Sequence, residues 1–283
     1  MATVTIDGKD IHFEESGEGP DLVWIGGGGM PGAEWRLFQT PAFDASYRNI
    51  TFDNRGVGQD SMESAVPITI GDLADDAAAL IEAVCDGPVI CVGLSMGSII
   101  AQELAARRPD LVRAAVLMGT IARASGWVYS YMDAEIQWRR AGHRLSGRMG
   151  AAHSLAMLYP ASALSDDAFC EEQFAYMSTP EYESDLEDSL ISQWQACNDY
   201  DGRESLARCT VPLHVIGFDQ DVQAPPRWGR EVAEIAPNAD FRLVADAGHA
   251  SCIGHRDEEI NALIAELIAP YRAAALDGST VGA

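Results

Sequence analysis

The chain has 283 residues, with 19 Lys+Arg against 43 Asp+Glu and a formal net charge of −24. Such an acid excess argues against a nucleic-acid partner, whose phosphates are held by clustered cations, and against docking on anionic membranes. With 47% hydrophobic and 22% charged residues the chain is too apolar for disorder, and its length suits one large α/β domain or two small ones.

Residues 1–15 alternate polar and apolar types and lack the basic start and apolar run of a signal peptide. The longest apolar runs, 89–92 and 99–101, are too short to cross a bilayer. Cys85, Cys91, Cys170, Cys197, Cys209 and Cys252 show no Cys-x-x-Cys spacing. Reduced thiols and a cytoplasmic location are therefore expected.

In chain order, residues 3–6 and 11–15 predict an antiparallel hairpin closed by Asp7-Gly8-Lys9-Asp10. Residues 21–25 and 49–52 read as strands, with helical spacing over 33–43 between them. Residues 70–84 predict an amphipathic helix: Leu73, Ala77, Leu80, Ile81 and Val84 share a face, and Asp72, Asp75 and Asp76 sit near its positive end. A strand over 88–92, a helix over 96–107 and a strand over 113–118 follow. The strands are apolar throughout, the mark of a parallel sheet covered on both faces.

After Thr120 the pattern changes. Residues 127–206 are helical in period, rich in aromatics and methionine, and show no clear strand. The alternation resumes with strands over 211–217 and 240–244 and helices over 226–235 and 256–275. The expected organisation is a core of residues 1–122 and 207–283, interrupted by a helical cap of residues 123–206 over the carboxyl edge of the sheet. The tail after Leu276 reads as disordered.

The chemistry concentrates in Gly93-Leu94-Ser95-Met96-Gly97, which lies between a strand and a helix. A serine on such a turn is lifted above the sheet edge, flanking glycines leave room for it, and the helix amino terminus offers N–H groups to an oxyanion. Ser95 is the candidate nucleophile. Its base should stand at the same edge. His249 follows the last strand in Ala247-Gly248-His249-Ala250, whereas His12 and His214 fall within strands and His143, His153 and His255 belong to or adjoin helices. Asp221 and Asp219 both follow the strand over 211–217; Asp221 is favoured as the acid and Asp219 is the alternative. The backbone N–H of Met96 supplies one oxyanion donor. The loop Gly26-Gly27-Gly28-Gly29-Met30-Pro31-Gly32 supplies the other, assigned to Gly28. That loop has neither the Lys-Ser/Thr ending nor the ribose-binding acid of a nucleotide site. No cofactor is expected, and no metal, because the histidines and carboxylates lack ligand spacing; the acidic run 181–188 reads as a solvated helical face.

Together these residues resemble the α/β-hydrolase superfamily over nearly the whole chain. Phe52-Asp53-Asn54-Arg55-Gly56-Val57-Gly58 is similar to the family's Asp-x-Arg-Gly-x-Gly turn. The Gly-x-Asp-x-Asp…Pro loop and the Gly-His pair add to the likeness. It is similar above all to small bacterial members: 3-oxoadipate enol-lactonases, cofactor-free haloperoxidase/esterases and C–C bond hydrolases. Two features depart from the pattern. The family's usual His-Gly pair is here Gly26-Gly27, and the interval from Gly217 to Asp221 is one residue longer than usual. The resemblance implies an α/β-hydrolase fold with a mostly parallel eight-stranded sheet, flanking helices and an inserted cap. It carries Arg55 over as a brace between loops.

The implied activity is a serine hydrolase cleaving an ester, lactone or activated C–C bond of a small apolar or aromatic molecule. Trp127, Tyr131, Trp138 and Trp194 are the candidates for lining the pocket. Two alternatives differ in class: a lyase, cyclase or perhydrolase using the same triad, and a ligand-binding module without catalysis. A small-molecule substrate is the expected partner; oligomeric state is left open, a homo-oligomer included.

Overall fold

A computed structural model describes residues 2–6, 9–57, 67–179 and 187–277. Parts of four expectations lie outside the described residues: the turn at Asp7-Gly8, the end of the Arg-Gly turn at Gly58, most of the acidic run 181–188, and the tail from 278 onward.

Eight strands form one sheet: β1 (Ala2–Ile6), β2 (Lys9–Ser16), β3 (Asp21–Ile25), β4 (Arg48–Phe52), β5 (Val89–Leu94), β6 (Val112–Met118), β7 (Leu213–Phe218) and β8 (Ala239–Val244). Their order is β1-β2-β4-β3-β5-β6-β7-β8. The first two pairings are antiparallel and all the others parallel. Parallel strands put all their carboxyl ends at one edge, so loops far apart in sequence converge there.

The period of two along each strand divides the core into two layers. On β3, Val23 and Ile25 face one layer and Leu22 and Trp24 the other; on β5, Val89 and Cys91 part from Ile90, Val92 and Leu94 in the same way. The first layer is covered by α3 (Ile70–Val84), α4 (Met96–Arg107) and α10 (Pro226–Ile235). The second is covered by α1 (Trp35–Phe38), α2 (Thr40–Phe43) and α11 (Asp257–Asp277). Helix α3 starts at a capping box: Thr69 Oγ1 accepts the Asp72 N–H at 3.1 Å and Asp72 Oδ2 accepts the Thr69 N–H at 2.8 Å.

The single helix expected over 33–43 is instead a 3-10 turn at Gly32–Glu34 followed by the two short helices α1 and α2. Pro41 explains the break, since it has no N–H to give to the preceding turn. Pro212 likewise delays β7 to Leu213, later than the sequence suggested.

Between β6 and β7 run α5 (Trp127–Arg140), α6 (Gly147–Leu158), α7 (Asp167–Met177), α8 (Glu187–Asp199) and α9 (Arg203–Arg208), with no strand among the described residues. A single bridge between Arg123 and Asp201 closes the base of this excursion. Helix α9 packs against α4 and α10. No helix of the described residues is long and apolar enough to cross a membrane.

Candidate active site

Ser95 joins β5 to α4 with φ +54° and ψ −123°, a conformation that costs a non-glycine residue about 1–3 kcal/mol. Backbone bonds hold it there: its N–H donates to the Met118 carbonyl at 2.9 Å, and its own carbonyl accepts from Ser98 N–H at 2.9 Å and Ile99 N–H at 3.2 Å. The glycines on either side answer to close approach. A Cβ on Gly97 would lie 2.0 Å from the Ile25 carbonyl oxygen, and one on Gly93 2.3 Å from that of Gly97.

His249 and Asp221 meet on the neighbouring loops. His249 Nδ1 lies 2.7 Å from Asp221 Oδ2, and both side chains are almost wholly shielded from solvent. The other carboxylate oxygen of Asp221 accepts the N–H groups of Gln223 and Ala224, each at 2.8 Å, so the acid is fixed from two sides. Asp219 turns to a different task and accepts the Ala247 N–H at 3.2 Å, within the loop that carries His249. The carboxyl end of β6 brings these parts together. Met118 holds Ser95 by its carbonyl. At the next residue, a Cβ on Gly119 would lie 3.1 Å from His249 Cε1 and 3.5 Å from Asp221 Oδ2.

The remaining histidines are occupied elsewhere. His214, in β7, contacts Asp240 at 2.9 Å and the Tyr271 hydroxyl at 3.0 Å, bracing the sheet. His12 pairs with Thr3 across the hairpin. His255 contacts Ser251 at 3.0 Å, and burial lowers its pKa. His143 stacks on Trp138, and His153 lies 3.6 Å from Glu135.

The glycine loop passes over Ser95, where a Cβ on Gly27 would lie 3.4 Å from the Ser95 Cβ. Met30 N–H closes the loop on the Gly27 carbonyl at 3.1 Å. Its base is tied by the Arg-Gly turn: Asn54 Nδ2 donates to the Gly26 carbonyl at 2.9 Å, and Asp53 Oδ1 accepts the Gly32 N–H at 2.8 Å. Arg55 forms a two-pronged bond to Asp76 on α3, at 2.7 and 2.5 Å. Met96 opens α4, where the first N–H groups of a helix have no intrahelical acceptor.

The inserted helices reach each of these loops. Trp127 is half exposed and donates its indole N–H to the Val222 carbonyl at 2.6 Å, beside Asp221, while its ring stacks on Tyr131. Trp194 lies against the glycine loop: a Cβ on Gly28 would be 3.1 Å from its Nε1. The Arg139 guanidinium lies over the face of the Trp194 ring, 4.9 Å from its centroid. Trp138 has its stacking partner in the turn after α5 rather than at the sheet edge. Sequence reasoning missed Gln193. It is fully buried, accepts the Gly29 N–H through Oε1 at 2.8 Å and donates to the Arg55 carbonyl through Nε2 at 2.8 Å. The only signal in the sequence was its place beside Trp194.

Residues 22–263 match the alpha/beta hydrolase family. The chain belongs to that family. A Mycobacterium tuberculosis protein that carries the name non-heme bromoperoxidase BpoC is 34% identical to it over 265 residues, 93% of this chain and 99% of that one. The crystal structure of that protein superposes with a TM-score of 0.85 at 35% identity, over 92% of this chain and 95% of the other. An Azorhizobium caulinodans protein named as a carbamate hydrolase, RutD, is 26% identical over 243 residues, 85% of this chain and 88% of its own length. The enol-lactonase of Burkholderia xenovorans shares the fold, with a TM-score of 0.78 at 23% identity over 95% of this chain and the whole of that one.

Proposed function

We propose that this member of the alpha/beta hydrolase family is a serine hydrolase that cleaves an ester, lactone or activated C–C bond of a small apolar or aromatic substrate. The observation that carries the reading is the strained Ser95 elbow set beside a buried His249–Asp221 pair. A conformation that costs energy is retained where surrounding structure enforces it and function uses it.

In this mechanism the Ser95 hydroxyl attacks the carbonyl carbon as His249 Nε2 takes its proton. Asp221 accepts the Nδ1–H of His249 across 2.7 Å, which selects the tautomer with a free Nε2 and stabilises the imidazolium. The N–H groups of Met96 and Gly28 receive the oxyanion, each donor worth about 3–4 kcal/mol in the transition state. His249 returns the proton to the leaving group, and a water activated by the same imidazole frees the acyl group from Ser95. The helices α5 to α8 act as a cap, with Trp127, Tyr131 and Trp194 offering aromatic surface to the substrate; Trp138 belongs to the same cap.

One observation favours a second reading, namely the bromoperoxidase name of the relative at 34% identity. Perhydrolysis needs no other residues: hydrogen peroxide replaces water in attack on the acyl-enzyme and leaves as a peracid. A fluorophosphonate probe tests the common core of both. Labelling of the parent at Ser95, absent in Ser95→Ala, is the expected result, and an unlabelled parent ends both. Hydrolysis of p-nitrophenyl esters with and without peroxide then separates them.

A further inference from the structure

We propose that Gln193, on α8, is a positioning residue for the oxyanion loop, so that correct placement of the Gly28 donor depends on the seating of the inserted helices. The inference rests on the reading of Ser95 as nucleophile and of the glycine loop as its oxyanion partner.

Gly26 to Gly29 have no side chains with which to hold that stretch of the loop in shape, and glycine has the widest backbone freedom to lose. Its ends are tied to Asn54 and Asp53, but Gly28 and Gly29 lie between those ties. Besides the loop's own bond from Met30 N–H to the Gly27 carbonyl, what reaches the middle comes from α8. A glutamine carboxamide carries one acceptor and one donor group. Gln193 uses both here, on Gly29 N–H and on the Arg55 carbonyl, each at 2.8 Å. Gly29 itself has φ +71°, so its amide is aimed by a left-handed turn that the Gln193 bond secures. Arg55 is in turn locked to Asp76, which extends the tie to α3 in the core.

The same helix also stands close against the loop, leaving little room for a side chain there. Trp194 Nε1 lies 3.1 Å from the point where a Gly28 Cβ would stand, and Leu190 Cδ1 lies 3.1 Å from the corresponding point at Gly29. The loop is thus held between a hydrogen bond and the Trp194 and Leu190 side chains, from residues more than 160 positions away in sequence. A hydrogen bond weakens steeply with distance and angle, so a small shift of Gly28 removes much of the oxyanion stabilisation.

The test compares Gln193→Met, which keeps volume but removes both polar contacts, with Gln193→Glu, which keeps an acceptor for Gly29 N–H. Two readings are taken with a fluorophosphonate: the second-order rate of Ser95 labelling and the final stoichiometry. The Met variant is expected to label about 10- to 100-fold more slowly, to the parental stoichiometry and with an unchanged pH midpoint, with part of the rate restored in the Glu variant. A role in folding alone would lower stoichiometry and leave the rate per competent site intact; that result overturns the proposal. Should Gln193→Met fail to fold, Gln193→Asn, one methylene too short to span both partners, is judged by the same criteria. An unlabelled Ser95 in the parent overturns the nucleophile reading and the inference with it, whereas a labelled parent and an equally fast variant overturn the inference alone.

Discussion

The edge of the sheet and the helices inserted between β6 and β7 hold their residues by different physics. At the edge, backbone does the placing. Ser95 is aimed by its own dihedral angles and by a bond to Met118, and Asp221 is gripped by two N–H groups of its own loop. In the insert, two side chains and one backbone carbonyl do the placing. Trp127 reaches Val222, Gln193 reaches Gly29, and the Leu158 carbonyl at the end of α6 accepts the Ala250 N–H beside His249 at 2.9 Å. Each of the three site loops is therefore touched by the insert, and the glycine loop alone leans on it for its shape, through Gln193. A backbone constraint fails all at once when violated, while a side-chain contact yields in increments. The edge should tolerate little, and the insert, Gln193 excepted, should tolerate much.

The sharpest test of that contrast sets two neighbouring carboxylates against each other. Asp221→Asn is expected to lower kcat about 10⁴-fold with the fold intact, because the histidine would lose its oriented tautomer. Asp219→Asn keeps an oxygen to accept the Ala247 N–H, loses only the charge, and should stay within about threefold of the parent. Steady-state hydrolysis of a p-nitrophenyl ester checks both, and equal losses would show that the two acids are not divided as the geometry divides them. Next in size is Gly97→Ala. With a Cβ at 2.0 Å from the Ile25 carbonyl, either β3 or α4 must move, and a loss above about 4 kcal/mol is expected in chemical unfolding. A well-folded Gly97→Ala would break the claim that the elbow is set by backbone.

The same division separates what is legible in the sequence from what is not. The strand over 21–25, the helices over 70–84, 96–107 and 226–235, and the elbow itself were legible because each depends on local pattern: period two, period 3.6, or glycine where a Cβ would collide. Parallel order then brings the residue after β8 and the residues after β7 to the same edge as Ser95, whatever the intervening sequence does. Gln193 was not legible, since a lone glutamine on a helix looks like solvent-facing polarity, and its partners lie 164 and 138 residues away. The break at Pro41 is hidden in the sequence because the spacing of Trp35, Phe38 and Phe43 fits a helix even when the chain restarts within it. Trp127, Tyr131, Trp138 and Trp194 shared a composition, yet the fold disperses them: Trp194 goes to the glycine loop, Trp127 with Tyr131 goes to the acid loop, and Trp138 goes to a turn of its own.

Contacts from the insert other than those of Gln193 should accordingly give small, graded effects. Trp127→Phe keeps an aromatic ring against Tyr131 and removes the indole N–H from the Val222 carbonyl. A neutral bond at a half-exposed site is worth about 1 kcal/mol or less, so thermal unfolding should move by only a few degrees. A collapse of stability or activity on the scale of Asp221→Asn would mean that the acid loop depends on the insert after all.

Glu34 tests the seam between the two regions, and its effect is a matter of pH. It ends the 3-10 turn after the glycine loop, and burial pushes its carboxyl up to about 7. Its charge also reaches across the seam: it adds to the burial that raises the Tyr176 hydroxyl on α7, and it is a minor contributor to the burial-driven rise of Cys252 to about 12. Between the ordinary carboxyl value and about 7 the folded chain holds a proton that the unfolded chain has released. Stability therefore falls as pH rises through that window, and the favourable contribution of the neutral acid is complete only below it. Glu34→Gln removes this dependence while keeping shape. Its melting temperature should match the parent near pH 5 and exceed it near pH 8, with the gap opening between. A gap of constant size across that range would place the Glu34 carboxylate in water rather than in the seam.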